Sequence, residues 1–85
     1  MATFYVLYSK SIDKYYVGAT CDEISERLRR HNSKHKKGFT GIVSDWEVVY
    51  FESFDTKEAA FVREKEVKRW KNRKKVELLI LSKSV

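Results

Sequence analysis

Apolar positions along the chain follow two different periods. Residues 4–8 (Phe4-Tyr5-Val6-Leu7-Tyr8) form an unbroken run of apolar, aromatic and β-branched side chains, residues 15–19 form a shorter one, and Trp46 to Phe51 forms a third around Val48, Val49 and Tyr50. Runs of this length and composition predict strands. The polar stretch from Ser9 to Lys14 fits a hairpin, so the first two strands pair antiparallel. Gly18 falls where the second strand must turn towards a helix or admit another group closely; glycine does either at no steric cost.

The remaining segments change period. Thr20-Cys21-Asp22-Glu23 has the form of a capping box, with two acids in the first turn of the helix it would open. That helix runs to about Asn32, a residue tolerated at a left-handed stop. Helical spacing puts Ile24, Arg27, Leu28 and His31 on one face and sends Arg29 and Arg30 elsewhere. Asp55-Thr56-Lys57-Glu58 opens a second helix, on which Ala60, Glu64, Val67 and Lys71 share a face flanked by Phe61 and Trp70. Asn72 caps a third helix, from Arg73 to about Leu81, with Val76, Leu79 and Ile80 inward. Residues 33–44 are basic, contain Gly38 and Gly41 and keep neither period, so they predict a mobile loop. The fold expected is α+β, a three-stranded antiparallel sheet flanked by three helices. Without repeats, low-complexity segments or a linker, residues 1–85 read as a single domain.

Composition narrows the partners. A chain of 85 residues, 42% hydrophobic and 14% aromatic, supports one thin core. Its net charge of +6 calls for an anionic partner: nucleic acid, an acidic protein or an anionic membrane surface. The single Cys21 excludes an intrachain disulfide, and no zinc ligand set is visible. With no long apolar span and no leader pattern, the expectation is a cytoplasmic protein without a membrane partner.

Of the 18 lysines and arginines, six lie within residues 27–37 and eight within residues 63–75. Any one of them is accounted for as a solvated helix face, but the two blocks together favour phosphate contact. Arg30, Lys34, Lys36 and Lys37 are the candidates in the first block. Lys68, Lys71, Arg73, Lys74 and Lys75 are those in the second. Arg73-Lys74-Lys75 also falls in the first turn of a helix, where each positive charge opposes the dipole by roughly 0.3–1 kcal/mol, a cost an anionic ligand would offset. Arg27 and Glu64 are charged residues on inward helix faces, where an unpaired charge is expensive. Two accounts stand: they pair with each other, or they line a cleft, the guanidinium facing phosphate oxygens and the carboxylate a hard divalent ion.

Tyr5 on an apolar strand, Tyr16-Val17-Gly18 about ten residues later, Arg27 one turn into the next helix and Glu64 within Ala60–Trp70 together resemble the GIY-YIG nuclease superfamily. The resemblance covers residues 3 to 81 and is closest to its small stand-alone members, relatives of the excision-repair endonuclease N-terminal domain. It implies a metal-dependent endonuclease that hydrolyses DNA phosphodiester bonds with little sequence specificity and without a small-molecule cofactor. It assigns one divalent ion, Mg2+ or Mn2+, to Glu64 and charge neutralisation to Arg27. Positioning or deprotonation of the attacking water goes to Tyr5, with Tyr16 in support. His31 matches a histidine found in some members and is a second candidate for proton transfer; by itself it also reads as a helix C-terminal histidine serving the last carbonyls. Thr3 stands where the first motif has glycine, and Ala19 where excision-repair members have a lysine near the base. A free tyrosine is only about 0.3% ionised at pH 7.5, so another group must assist it here. The rival reading is a non-catalytic nucleic-acid-binding module on the same fold.

Overall fold

The computed structural model describes residues 1–33 and 42–82. Strand β1 (Ala2–Ser9) lies between β2 (Lys14–Thr20) and β3 (Trp46–Phe54), antiparallel to both. Helix α1 (Ile24–Asn32) follows β2, and α2 (Lys57–Trp70) and α3 (Arg73–Ser82) follow β3. This is the α+β arrangement of three antiparallel strands and three helices expected from the periodicities. The loop expected at residues 33–44 lies for the most part outside the described residues, and with it Lys34, His35, Lys36 and Lys37.

The central strand reads as a continuous apolar run because both faces of the sheet are covered. On one face, Tyr5 and Leu7 join Trp46 and pack against Ile24 and Leu28 of α1. On the other, Phe4, Val6 and Tyr50 meet Val67 of α2 and Val76 of α3, with Leu79 and Ile80 packed alongside. Ala2, Ala19 and Ala60 form a small cluster where α2 comes close to the sheet. A register shift opposite Val6 and Leu7, which pair with Tyr50 and Val48, leaves Val49 as the extra residue of a bulge. Tyr50 and Trp46 consequently face opposite ways, although four positions apart they would share a face on a regular strand.

Local chemistry sets the helix ends. The Thr56 hydroxyl accepts the Ala59 N–H (3.2 Å) and caps α2 as expected. Lys71 ends α2 in the left-handed region at φ 45°, and Asn72 Oδ1 accepts the Lys75 N–H (3.3 Å) to open α3.

Three expectations are corrected. Thr20 does not cap α1. It is the last residue of β2, paired with Thr3, and its hydroxyl accepts the nearer Asp22 N–H (3.0 Å), while Glu23 holds the cap position without a side-chain bond. Asn32 is not a left-handed stop. Helix α1 ends on Ser33 in extended backbone, and the Asn32 amide brackets the main chain of Trp46, accepting its N–H (2.7 Å) and donating to its C=O (3.1 Å). Phe61 is 38% exposed and does not flank the core. No helix among the described residues is long and apolar enough to cross a membrane.

Candidate active site

Pairing places Tyr5 opposite Gly18 and Leu7 opposite Tyr16, so both tyrosines emerge on the α1 face of the sheet. Gly18 lies within β2, and its role is close approach. A Cβ there would stand 2.6 Å from Tyr5 Oη, 2.7 Å from its Cζ and 3.1 Å from Tyr16 Cε2. The missing side chain is the space the Tyr5 phenol occupies.

The inward face of α1 brings His31 down onto this pair. The Tyr5 hydroxyl and His31 Nε2 are 2.9 Å apart in a buried hydrogen bond, with Tyr5 2% and His31 8% exposed. The His31 ring centre also lies 4.9 Å from that of Tyr16, which in turn meets Trp46 edge-on with ring centres 6.4 Å apart. By holding the Trp46 backbone, Asn32 fixes the wall behind Tyr16 one residue beyond His31.

Arg27, one helical turn before His31, approaches the same hydroxyl. Burial pushes the Tyr5 phenol above the usual tyrosine range; the Arg27 hydrogen bond and charge pull it back, and the Tyr16 and Glu64 charges add to the rise. The Nε of Arg27 is buried with no hydrogen-bond partner among the described residues. A buried donor left unmet costs about 1–3 kcal/mol, more when it belongs to a charged group.

Glu64 arrives from the other side of the sheet. Helix α2 packs on the face opposite the tyrosines, yet Lys68 Nζ sits 5.8 Å over the Tyr16 ring, so α2 reaches round the open edge of β2. Lys68 also donates to Glu64 Oε2 (2.8 Å). The Arg27–Glu64 ion pair weighed from periodicity is therefore absent among the described residues, and Glu64 pairs with the lysine one turn along its own helix. Sequence reading placed Lys68 among the phosphate contacts and missed this pairing, although a Glu–Lys spacing of four on a helix signals it.

The five expected catalytic residues, Tyr5, Tyr16, Arg27, His31 and Glu64, thus converge across the β2 edge. No group of three or more His, Cys, Asp or Glu side chains capable of holding a metal occurs among the described residues. A single carboxylate suits a hard ion that keeps several waters and takes further oxygens from a phosphate, so the donor set fits magnesium or manganese and not a closed protein cage.

The basic positions do not all behave alike. Arg30 and Lys74 are exposed, and Lys75 Nζ lies 5.8 Å over the Trp70 ring. Arg73 is engaged inside the chain: it donates to Asp13 Oδ1 (2.6 Å) and main-chain oxygen (2.9 Å) and to Glu77 Oε2 (3.2 Å), and its guanidinium covers the Tyr15 ring. Its charge in the first turn of α3 is met by Asp13 and Glu77, so the dipole argument for an external anion at Arg73 falls away.

Comparison with known proteins agrees with this geometry. The family model of the GIY-YIG catalytic domain matches residues 1–77. A UPF0213 protein of Haloquadratum walsbyi is 37% identical over 68 residues, covering 80% of this chain and 75% of the relative. A UPF0213 protein of Staphylococcus saprophyticus is 32% identical over 79 residues, covering 93% of this chain and 96% of the relative. No solved structure matches. Two tyrosines on adjacent strands, an arginine and a histidine on the first helix, a glutamate on the second and the family match over nine-tenths of the chain lead to one conclusion: this chain belongs to the GIY-YIG family, whose domain is of the nuclease type.

Proposed function

We propose that this chain is a single-domain, divalent-metal-dependent endonuclease that hydrolyses DNA phosphodiester bonds with little sequence preference. The observation that carries the reading is the buried contact between Tyr5 Oη and His31 Nε2 beside the unmet Nε of Arg27. A phenol hydrogen-bonded to an imidazole can pass a proton, and a guanidinium with a free donor can accept the charge of a pentavalent phosphorus.

Tyr5 orients the attacking water and His31 accepts a proton from that pair, which meets the scarcity of phenolate left by Ala19 in place of a lysine. Tyr16, its ring tilted against His31, lines the phosphate's approach. Arg27 neutralises the non-bridging oxygens as charge builds. Glu64 would hold the Mg2+ or Mn2+ ion, which would supply Lewis-acid stabilisation of the leaving oxygen.

The test is nicking of supercoiled plasmid with magnesium or manganese, parent beside Glu64→Gln. Nicks made by the parent and absent with the variant are expected. DNA binding without any nicking, with either ion, would leave a nucleic-acid-binding module.

A further inference from the structure

We propose that the outer edge of β2 carries a second phosphate-binding groove, which takes the sugar–phosphate backbone of the DNA strand next to the scissile bond. The inference rests on the nuclease reading and extends it away from the catalytic residues. The groove lies between β2 and the α2–α3 corner and encloses about 310 Å3. Ligand clefts span roughly 300–1,000 Å3, so this one accommodates a unit of nucleotide size and not a duplex. Its cationic rim is Lys14 from β2, with Lys68 and Lys71 from the end of α2, and its floor includes Val17, Val67 and Val76.

Three observations select the occupant. Lys14 and Lys71 line the groove from β2 and from the end of α2 and make no ion pair or side-chain hydrogen bond among the described residues; the carboxylate beside Lys14, Asp13, feels its charge but is bound by Arg73 (2.6 Å). Lys68 lines the groove and also touches Glu64 and the Tyr16 ring, which makes the groove continuous with the catalytic cleft across the sheet edge. The aromatic wall is closed to stacking: the Tyr15 ring has Tyr8 at 4.9 Å and the Arg73 guanidinium at 5.1 Å. With no free aromatic face, the groove binds charge and sugar without reading bases.

The experiment is anisotropy of labelled duplex DNA in EDTA, titrated between 50 and 200 mM salt, for the parent, the variant Lys14→Gln with Lys71→Gly, and Lys57→Gln as control. Glycine suits the left-handed backbone of Lys71, φ 45°, and all three positions are exposed. Lys57 stands at the other end of α2, some 20 Å away by helical rise. The double variant is expected to bind at least about tenfold more weakly at low salt. Its log–log salt slope should be shallower by ~2, near 0.9 for each phosphate that is no longer neutralised. The control should match the parent. If the melting temperature of the double variant falls, Lys14→Gln alone must show a slope shallower by ~1. Parental binding with an unchanged slope in the variants overturns the groove and leaves the nuclease reading standing. No salt-dependent binding by the parent overturns both.

Discussion

Tyr5 Oη and His31 Nε2 meet at 2.9 Å inside the protein, one from the middle strand and the other from the last turn of α1. Each group explains the other's burial. A phenol in an apolar sheet needs a hydrogen-bond partner, and a histidine at a helix end that faced solvent would only serve the terminal carbonyls.

The pair predicts a pH profile. Burial raises the Tyr5 pKa, so at any pH below it less phenolate is present than for a free tyrosine. A rate that depends on loss of that proton climbs with pH through 7 to 9 without levelling off. Tyr5→Phe should flatten the profile and cost most of the turnover. His31→Gln should lower the rate, and the double variant should be little worse than Tyr5→Phe, because coupled groups do not lose additively. Initial cleavage rates at saturating DNA across that range check this. Additive losses would separate the two residues.

Much of the fold was legible because strand and helix periods are strong local signals. What was not legible came from partners distant in sequence. Thr20 has the local form of a cap, but the ladder with Thr3 claims its backbone. Asn32 resembles a helix stop, and its true role depends on Trp46, across a segment whose path no local rule gives. Arg73 looks like an unpaired charge until Asp13 arrives from the β1–β2 hairpin, 60 residues earlier in the chain. The candidate catalytic residues came from resemblance. Inward faces alone singled out Arg27 and Glu64 but left open whether they pair or line a cleft, because helical period does not tell which sheet edge a helix reaches round.

Gly18 predicts a steric test. A methyl group at this position meets the Tyr5 phenol at 2.6–2.7 Å, well inside contact distance, and Tyr5 is packed on all sides. Gly18→Ala should cost ~1–3 kcal/mol, the usual penalty for overpacking. It should also push Tyr5 away from His31, so the loss of cleavage should exceed the loss of folded protein. Thermal melting and nicking on one preparation check both parts; a drop in activity matching the folded fraction would make Gly18 purely structural.

Asp45 predicts the acid limb of stability. Its carboxylate accepts hydrogen bonds from the Ser9 hydroxyl (2.6 Å) and from the Ser11 N–H (2.9 Å) and hydroxyl (3.1 Å), pinning the entry to β3 against the hairpin. These bonds, the Ser9 bond first, hold its pKa below the ordinary aspartate value. The folded state therefore binds this proton less readily than the unfolded state. The stabilisation is complete above about pH 4 and is lost as pH falls towards the lower folded value. Asp45→Asn should melt below the parent at pH 7, and the gap should close as pH drops from 4 to 2. A gap independent of pH would remove the carboxylate from the account.

Arg27 and Glu64 separate catalysis from scaffolding. Had they formed a buried ion pair, removing either would cost ~3–5 kcal/mol. Glu64 instead pairs with Lys68, whose side chain is half exposed, and such pairs contribute ~0.3–0.5 kcal/mol. Glu64→Gln should then shift the melting temperature by at most about 2–4 °C in a domain of this size. It should abolish cleavage and leave DNA affinity equal or higher, since one negative charge is gone. Arg27 already carries an unmet buried Nε, so Arg27→Ala removes an unsatisfied donor along with its packing, and the melting temperature should again move little. Its rate should fall by ~10²-fold or more, the scale of a lost charge-stabilising donor, and Lys at the same position should restore little because a single ammonium does not reproduce the planar fork. The measurement is paired melting and plasmid nicking on parent, Glu64→Gln, Arg27→Ala and Arg27→Lys. Cleavage lost from proteins that melt like the parent places both residues in the chemistry. Melting temperatures that collapse together, with cleavage following the folded fraction, would return them to the core.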